Sequence, residues 1–432
     1  MKLISSLLII FTLSSTFAQS KKALKEANID GKHVKATSNL LKRARVQDAF
    51  VYIDEQDEPL MKTLIDLTEV PAPPFGEEKR AKMFKDMLES AGVDSAWIDE
   101  VGNVIALRKG TNSKKTVALD AHLDTVFPEE TDVTVTRKGD TLYAPGVGDD
   151  TRGLAMVLQI LRAMNHATIE TENDLLFVGT VGEEGIGDLR GVKHLFSEKS
   201  DVKIDSWIGI DGGSVGRINY KALGSVRYRA NFSGPGGHSW GAFGLANPHH
   251  ALAKAIDYFT MEAGKYVAKG PKTSFNIGRI GGGTSVNSIP FESWFEVDIR
   301  SLDPMRIVAM DSLFKSNMER AVDDYNKSGV EDKVILNLEP IGDRPSGELS
   351  RELPLIQRSI ASTILLGARL RETTGSTNGN IPISLGIPSV TIGRGGRGKN
   401  AHSLDEWWAN IDGARAIKLA LLITVSEAGL SN

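Results

Sequence analysis

The sequence predicts an α/β fold: a mostly parallel sheet covered by helices, with a smaller α+β segment inserted into it. Two observations predict this fold. Short apolar runs such as TVALDAH, DLLFVGTV and SWIGIDGG alternate with segments of helical spacing. From about residue 222 to 338 the pattern changes to the order β-α-β-β-α-β. We therefore expect one domain formed by residues 19–221 and 339–432, and a second formed by residues 222–338.

The helices of the predicted α/β domain each have one apolar face. Leu60, Leu64 and Leu67 recur at helical spacing, and prolines stop this helix a few residues later. EEKRAKMFKDMLESAG and GLAMVLQILRAM show the same spacing, and Gly92 lies just past the end of the first of them. LRGVKHLF is a shorter helix, and GARAIKLALLITVSEA closes the chain after the strand IPSVTIG. This alternation is typical of a parallel sheet buried on both faces.

The inserted segment has a different pattern. SVRYRANFSG alternates between polar and apolar residues, as an antiparallel strand does, and NPHHALAKAIDYF has the spacing of a helix. TSFNIGRIGGGTSVNSIPFESWFEVDIRS contains two or three strands, a long helix begins at PMRIVAM, and VILNLEP is the last strand. We expect these elements to form a small α+β domain.

Composition excludes several classes of function. The 432 residues include 51 basic and 55 acidic side chains, so a net charge of −4 leaves no basic excess for binding nucleic acid. The chain has no cysteine, which excludes disulfides, a thiolate nucleophile and cysteine-ligated zinc. Stability must therefore come from the hydrophobic core, and this length is ample for one.

The first 18 residues predict a secretory signal peptide. Lys2 supplies a short positive region, the apolar stretch from Leu7 to Leu13 is too short to span a bilayer, and Ala18 suits cleavage by signal peptidase. A buried helix or an anchor is the alternative, which the polar run QSKKALKEANIDGKH disfavours. No later stretch is apolar for long enough to cross a membrane. We expect a protein that is secreted or periplasmic.

Histidines and carboxylates follow the predicted strands, at the edge where α/β sheets place their sites. These residues are His122, Asp124, Asp149, Asp150, Glu183, Glu184, Asp211 and His402. Taken singly, a histidine after a strand is often structural, an aspartate before a helix is usually its N-cap, and adjacent loop glutamates are usually solvated. Taken together, they form a nitrogen and oxygen ligand set for two divalent metal ions. Zinc suits the set best, and cobalt or manganese also fits.

The spacing of His122 and Asp124 adds a geometric argument. Two residues apart on an extended backbone, their side chains point the same way. Asp124 can then bond one imidazole nitrogen of His122 and leave the other for a metal.

The motifs and their order resemble those of the M20 family (peptidase T/carboxypeptidase G2-like) of co-catalytic zinc peptidases. They cover nearly the whole chain after residue 55 and are HLDTV, APGVGDD, GTVGEEG, GIDGG, GPGGHSWG, GGTSVNSIP and NAHS. The inserted segment matches the family's lid, which commonly dimerises, so the resemblance implies a homodimer. Many relatives carry a lysine two residues after the bridging aspartate, where this chain has Thr151. That departure leaves the ligand set intact.

The resemblance implies how the metal ligands divide. His122 and Asp211 would hold one metal ion, and Glu184 and His402 the other. Asp149 would bridge both. Two ions so placed lower the pKa of a water between them to about 7.

The resemblance also implies the remaining roles. Asp124 would orient His122, and Glu183 would be the general base that moves the proton of the water to the leaving amine. His238 would stabilise the oxyanion in the partner subunit's site, although without the resemblance a turn histidine is the better interpretation. Asn287 and Arg300 match the family's substrate-contacting lid residues, and an arginine that ends a strand more often makes a surface ion pair.

The expected function is an exported di-zinc hydrolase of amide bonds in short peptides, most like the tripeptide aminopeptidases. An N-acyl amino acid deacylase or a carboxypeptidase on the same scaffold is the alternative. A non-catalytic binding module is a third class, which the presence of Glu183 and all five ligands disfavours.

Overall fold

The computed structural model describes residues 22–431, so the predicted signal peptide lies outside the described residues. The helices, in chain order, are α1 (Gly31–Leu41), α2 (Ala44–Glu55), α3 (Asp57–Thr68), α4 (Glu78–Ala91), α5 (Thr151–His166), α6 (Arg190–Leu195), α7 (Pro248–Val267), α8 (Pro304–Asn326), α9 (Pro354–Leu365), α10 (Asn380–Ser384) and α11 (Gly413–Ala428). The strands are β1 (Ser95–Ile98), β2 (Val104–Arg108), β3 (Thr116–His122), β4 (Thr136–Lys138), β5 (Thr141–Tyr143), β6 (Asp174–Thr180), β7 (Ser206–Ile210), β8 (Arg217–Ala222), β9 (Gly224–Ser233), β10 (Gly237–His238), β11 (Thr273–Gly282), β12 (Ser288–Ile289), β13 (Glu292–Ser301), β14 (Ile335–Arg344), β15 (Gly347–Glu348), β16 (Arg371–Gly375), β17 (Ser389–Ile392), β18 (Arg397–Lys399) and β19 (Trp407–Ala409).

The chain divides into two compact units. The first contains the described residues up to Tyr220 and from Leu349 onward, and the second is Lys221–Glu348. The boundary that we predicted after residue 338 falls inside β14. This strand pairs with β9 along its whole length, from Ile335 to Arg344. The boundary was placed too early because the apolar run VILNLEP ends before the hydrogen-bonded ladder does.

The first unit is built on a large mixed sheet with a parallel centre. Its strands lie in the order β1-β2-β6-β3-β7-β17-β8-β15, and β16 pairs with β8. The neighbours β6, β3, β7 and β17 are parallel, whereas the strands at both margins are antiparallel. Successive β3 residues Val117, Ala118 and Leu119 are fully buried, so both faces are covered. The predicted α/β class is confirmed, and the carboxyl ends of β3, β6 and β7 meet at one edge.

The second unit is a helix-backed antiparallel sheet. Strands β11, β13, β9 and β14 pair in that order, and α7 and α8 cover one face with an aromatic core. The rings of Phe259 and Phe314, one from each helix, meet edge to face with centroids 5.2 Å apart. Asn247 and Asp303 cap these helices by accepting backbone hydrogen bonds, and a proline follows each cap. The short ribbon of β10 and β12 completes the unit.

A four-stranded antiparallel sheet that we did not predict also belongs to the first unit. Its order is β18-β19-β5-β4. Leu142 and Trp408, directly opposite each other, are fully buried. Within residues 22–431, no helix has both the length and the apolar character needed to cross a membrane.

Candidate metal centre

His122, the last residue of β3, is held in a fixed orientation. Its Nδ1 lies 2.9 Å from the backbone oxygen of Asp124 and 3.6 Å from Oδ1 of the same residue. Its Nε2 lies 3.4 Å from Oδ1 of Asp149. The side chain is 2% exposed. Asp124 therefore faces one imidazole nitrogen, through its backbone as well as its carboxylate, and the other nitrogen is directed at Asp149.

The Asp124 carboxylate also holds the turn that follows β6. It is fully buried and accepts hydrogen bonds from the backbone N–H groups of Glu183, at 2.9 Å, and Glu184, at 2.8 Å. Burial opposes its ionisation, but His122 and these two N–H groups lower the pKa of Asp124. Gly182 makes the turn with a left-handed φ of 63°. One carboxylate thus positions the histidine and both glutamates.

Glu184 and His402 meet Asp149 at the same edge of the sheet. His402 Nε2 lies 2.8 Å from Glu184 Oε1 and 3.5 Å from Asp149 Oδ2. Its hydrogen bond to Asp149, and to a smaller extent that to Glu184, raise the pKa of His402 to about 10. Two residues more than 200 positions apart in the chain therefore converge on a single carboxylate.

The residues present fit a divalent metal ion. His122, Asp149 and Glu184 each offer a ligand atom, and these atoms lie within 4.8 Å of one another. Among the described residues, the buried Oδ1 of Asp149 has no hydrogen-bond partner. Although burial disfavours the charged imidazole, the facing carboxylates of Asp124 and Asp149 raise the pKa of His122 well above its usual range. The carboxylates therefore attract positive charge, which protons on the histidines or a divalent ion can supply.

Asp211, directly after β7, belongs to the same group of charges. Its backbone N–H donates to Ile392 on the neighbouring strand at 3.1 Å, and its carbonyl accepts from Arg217 at 2.7 Å. Burial and the nearby Asp149 carboxylate raise the pKa of Asp211, whereas His122 acts in the opposite direction. Of the five predicted ligands, His122, Asp149 and Glu184 form the compact cluster, His402 contacts two of them, and Asp211 interacts with the cluster through its charge.

Asp150 and Glu183 are buried beside these residues. Asp150 is the N-cap of α5 and accepts from the N–H of Gly153 at 3.2 Å, which is the structural interpretation weighed for it. Glu183 is 4% exposed. Because its backbone and that of Glu184 share Asp124, its carboxylate starts from the same turn as a candidate ligand.

Glu406 is a buried acid of this site that sequence reasoning missed. Its two oxygens accept hydrogen bonds from the N–H groups of Gly146, Gly148 and Asp149 at 2.7, 3.0 and 3.2 Å. Burial raises the pKa of Glu406 to about 7. Glu406 therefore supports the loop that presents Asp149. The available signal was its place four residues after His402.

Asp120 is a second buried acid that we overlooked. It lies on β3 and accepts from Thr180 Oγ1 at 2.8 Å and from Asn378 Nδ2 at 3.1 Å. Burial raises the pKa of Asp120 to about 7. A charged residue inside the apolar run VALDAH was the available signal.

Arg394 also approaches the centre, with Nη1 3.8 Å from Asp149 Oδ1.

The predicted substrate-binding residues all lie in the second unit. His238 is exposed on the β10–β12 ribbon, and its Nδ1 accepts from the N–H groups of Trp240 and Gly241 at 3.2 and 3.3 Å. Asn287 is its neighbour, because its carbonyl accepts from Ser239. Arg300 is on a different strand and donates to Asp298 at 2.6 Å, which is the ion-pair alternative weighed for it.

Comparisons with known proteins agree with this geometry. The model of peptidase family M20/M25/M40 matches residues 118–423. The uncharacterized protein YqjE of Bacillus subtilis is 27% identical over 358 residues, which are 78% of this chain and 91% of that protein.

Solved structures share the fold. A tripeptidase from Staphylococcus aureus has a TM-score of 0.69 at 24% identity, over 85% of this chain and 97% of that one. The Bacillus subtilis YXEP protein, described as a dinuclear metal binding peptidase from the M20 family, has a TM-score of 0.60 at 17% identity, over 86% of this chain and 98% of that one. The family match includes all five candidate ligands. This chain therefore belongs to peptidase family M20/M25/M40 and is a metal-binding hydrolase.

Proposed function

We propose that this protein is an exported di-zinc peptidase that hydrolyses the amide bonds of short peptides, most like a tripeptide aminopeptidase. The observation that carries the proposal is the convergence of His122, Asp149, Glu184 and His402, of which His122 and Glu184 are buried and His402 is half-exposed. A buried carboxylate oxygen without a hydrogen-bond partner is costly unless a cation satisfies it.

The proposal assigns each ligand to a metal. His122 and Asp211 would hold one ion, Glu184 and His402 would hold the other, and Asp149 would be a ligand of both. The observed contacts support this division, because His402 faces Glu184 and Asp149, while His122 faces Asp149. The charge of His122 also lowers the pKa of Asp211, against the effects of burial and Asp149. Zinc is preferred for this mixture of imidazole and carboxylate ligands.

Glu183 is the residue that we assign to proton transfer. Bound metal ions would supply Lewis acidity, making water more acidic and stabilising negative charge on the carbonyl oxygen. The Glu183 carboxylate accepts one proton from the attacking water and delivers it to the nitrogen of the breaking amide bond. The products are a carboxylic acid and an amine, so the atoms of peptide and water balance. Asp124 keeps Glu183 in place through its backbone N–H.

We assign the second unit the roles of lid and dimerisation domain, with His238, Asn287 and Arg300 as its substrate contacts. The proximity of His238 to Asn287 supports a shared function for these two. The mass of the purified protein in solution tests the homodimer, and the N-terminal residue of the exported protein tests cleavage after Ala18.

Metal analysis combined with a substrate panel tests the proposed function. We expect close to two divalent ions per chain, hydrolysis of di- or tripeptides, and loss of both metal and activity after treatment with a chelator. Hydrolysis confined to N-acyl amino acids would favour the deacylase alternative. Full peptidase activity in metal-free protein would rule out the proposed mechanism.

A further inference from the structure

A cationic cavity of about 440 Å³ lies in the first unit, between the loop after β7 and the segment that contains β18. Arg394, Arg397 and Lys399 line it together with Trp407, and none of its described lining residues is acidic. Arg394 also connects the cavity to the candidate metal centre, because its Nη1 lies 3.8 Å from Asp149 Oδ1. The cavity therefore adjoins the candidate metal centre through Arg394.

The positive charge of the cavity is only partly neutralised by the protein. Arg394 is 8% exposed and packs beside Asp149 and Glu406, so its charge is balanced by acids of the metal centre. Arg397 and Lys399 are exposed, and neither has an ion-pair partner anywhere in residues 22–431. Two cations without a counterion therefore remain available to a ligand.

The register of the small sheet places these cations on one face with aromatic rings. Arg397 and Lys399 are two residues apart on β18, so their side chains point the same way. Lys399 is directly opposite Trp407, which in turn is opposite Tyr143. Lys138 lies over the Tyr143 ring, 5.2 Å from its centroid. Such a face offers charge to an anion and an apolar surface to the carbon chain that bears it.

The loop that leads into β18 is held firmly, so its glycine-rich sequence does not make it a flexible tether. Trp408 Nε1 donates to the carbonyl of Gly395 at 3.0 Å. Gly396 has a φ of 72°, and a Cβ there would lie 2.1 Å from the same indole nitrogen. The backbone is thus fixed by close packing, and the cations start from a defined position.

We propose that this cavity binds a carboxylate of the substrate, so that the enzyme prefers peptides or N-acyl amino acids with an acidic group near the scissile amide. The inference rests on the proposed amide hydrolysis and adds the substrate class. Arg397 and Lys399 donate charge-assisted hydrogen bonds to the carboxylate, and Trp407 packs against its methylene groups. A protonated amine at this position would be repelled by both cations.

Paired substrates test the proposal through kcat/KM. Peptides that differ only in Glu against Gln should be cleaved with about a tenfold preference for Glu, because hydrogen bonds to a charged group contribute that much. Arg397→Gln and Lys399→Gln should each remove most of this preference, by lowering kcat/KM for the Glu peptide more than for the Gln peptide. Lys114→Gln, which removes an exposed cation that does not line the cavity, should keep the preference.

A C-terminal amide series distinguishes the two sources of a carboxylate. If Arg397→Gln lowers kcat/KM for a peptide with a free C terminus but not for its amide, while Glu and Gln peptides respond alike, the bound carboxylate is that of the chain terminus. The inference would be overturned if kcat/KM in the unaltered protein depended neither on Glu against Gln nor on C-terminal amidation, or if such a dependence were untouched by both variants.

Calorimetric titration with glutarate separates this inference from the proposed function. The metal-loaded protein should bind glutarate, and Arg397→Gln should weaken that binding about tenfold. Glutarate binding that depends on Arg397, with no amide hydrolysis on any substrate, would refute the proposed function and retain the anion site. Peptide hydrolysis, together with glutarate binding that Arg397→Gln does not affect, would support the proposed function and refute the anion site.

Discussion

The two units of this protein differ in how many charged side chains they bury. The first buries a series of ionisable side chains, which includes Glu77, Arg80, Asp120, His122, Asp124, Asp150, Arg152, Glu183, Glu184, Arg394 and Glu406. In the second, where every residue is described, Arg344 is the one buried charged side chain. Its ion pairs, such as that of Arg227 with Asp298, keep contact with solvent, and its core consists of aromatic and aliphatic residues.

This difference indicates where chemistry takes place. Burying an ionised group is costly unless partners or a metal compensate, so a fold tolerates a cluster of them only where they are compensated or used. The second unit gains stability from apolar burial and can lose surface charges at little cost. Substitutions of charge should therefore affect function in the first unit, and substitutions of volume should affect stability in the second.

The largest expected effect is that of Glu183→Gln in the first unit. Loss of the proton acceptor should lower kcat by about 10³-fold while the metal content stays at its original value. Glu184→Gln removes a ligand instead, so it should lower the metal content as well as the activity. Metal analysis by mass spectrometry and kinetics on the same samples measure both.

Glu296→Gln is the matched control in the second unit, since this carboxylate pairs with Arg229 and Arg279 on the sheet surface. It should change neither the metal content nor kcat. Equal metal loss in Glu183→Gln and Glu184→Gln would contradict the division of roles between the two glutamates. A fall in kcat for Glu296→Gln comparable to that for Glu183→Gln would break the contrast between the units.

The sequence allowed these candidate ligands to be found because each stands next to a local pattern. His122 and Asp211 follow apolar strands, and Glu184 follows the run that ends at Val181. Glu406 and Asp120 were missed for the converse reason. Their partners are backbone N–H groups and side chains from 60 to 260 residues away, and only the folded chain identifies those contacts.

The second expected effect is on stability and concerns Phe314. This ring is fully buried in the second unit and packs against Phe259, Tyr228 and Phe295. Phe314→Ala should destabilise the unit by about 3–5 kcal/mol, since it removes apolar contacts and leaves a cavity. Urea denaturation gives the free energy of unfolding, and hydrogen exchange should show the loss of protection within residues 221–348.

Val308→Ala provides the control on the same helix, because Val308 is 59% exposed. It should change stability by less than about 0.5 kcal/mol. Reduced metal binding in Phe314→Ala with full protection of residues 221–348 would be incompatible with a purely structural core in this unit.

The periodicity of the sequence predicted the overall architecture. It did not predict the end of the second unit or the small four-stranded sheet. The helical spacing of Leu60, Leu64 and Leu67 corresponds to a real helix whose three leucines are buried. The strand β14 continues past the predicted boundary with polar residues, since its register is set by pairing with β9 and not by apolar burial. The small β18-β19-β5-β4 sheet joins segments more than 250 residues apart in strands of three residues, too short for a periodic signal.

A smaller effect is expected at Glu406, which tests whether the buried charges of the first unit act together. Glu406→Gln replaces one of the acceptor oxygens by an NH2 group, so at least one of the three loop N–H groups loses its partner. Metal affinity should fall about 10- to 100-fold, as for other residues that support a ligand. Titration with a competing chelator measures it, and Glu58→Gln, at an exposed pair with Arg137, should leave it unchanged. Unaltered affinity in Glu406→Gln would show that Asp149 does not depend on this support.

The smallest effect should come from the surface charges of the second unit, and two arginines there form a matched pair. Arg229 and Arg279 both contact Glu296 and lie over the Trp294 ring, at 3.8 and 5.4 Å from its centroid. Arg279 is mostly exposed, so Arg279→Gln should cost about 0.5 kcal/mol or less and depend on salt. Arg229→Gln should cost about 1 kcal/mol, because the closer guanidinium also loses its stacking on the indole. If the two variants were equally destabilised, and by more than Phe314→Ala, surface charge rather than apolar burial would be the main source of stability in this unit.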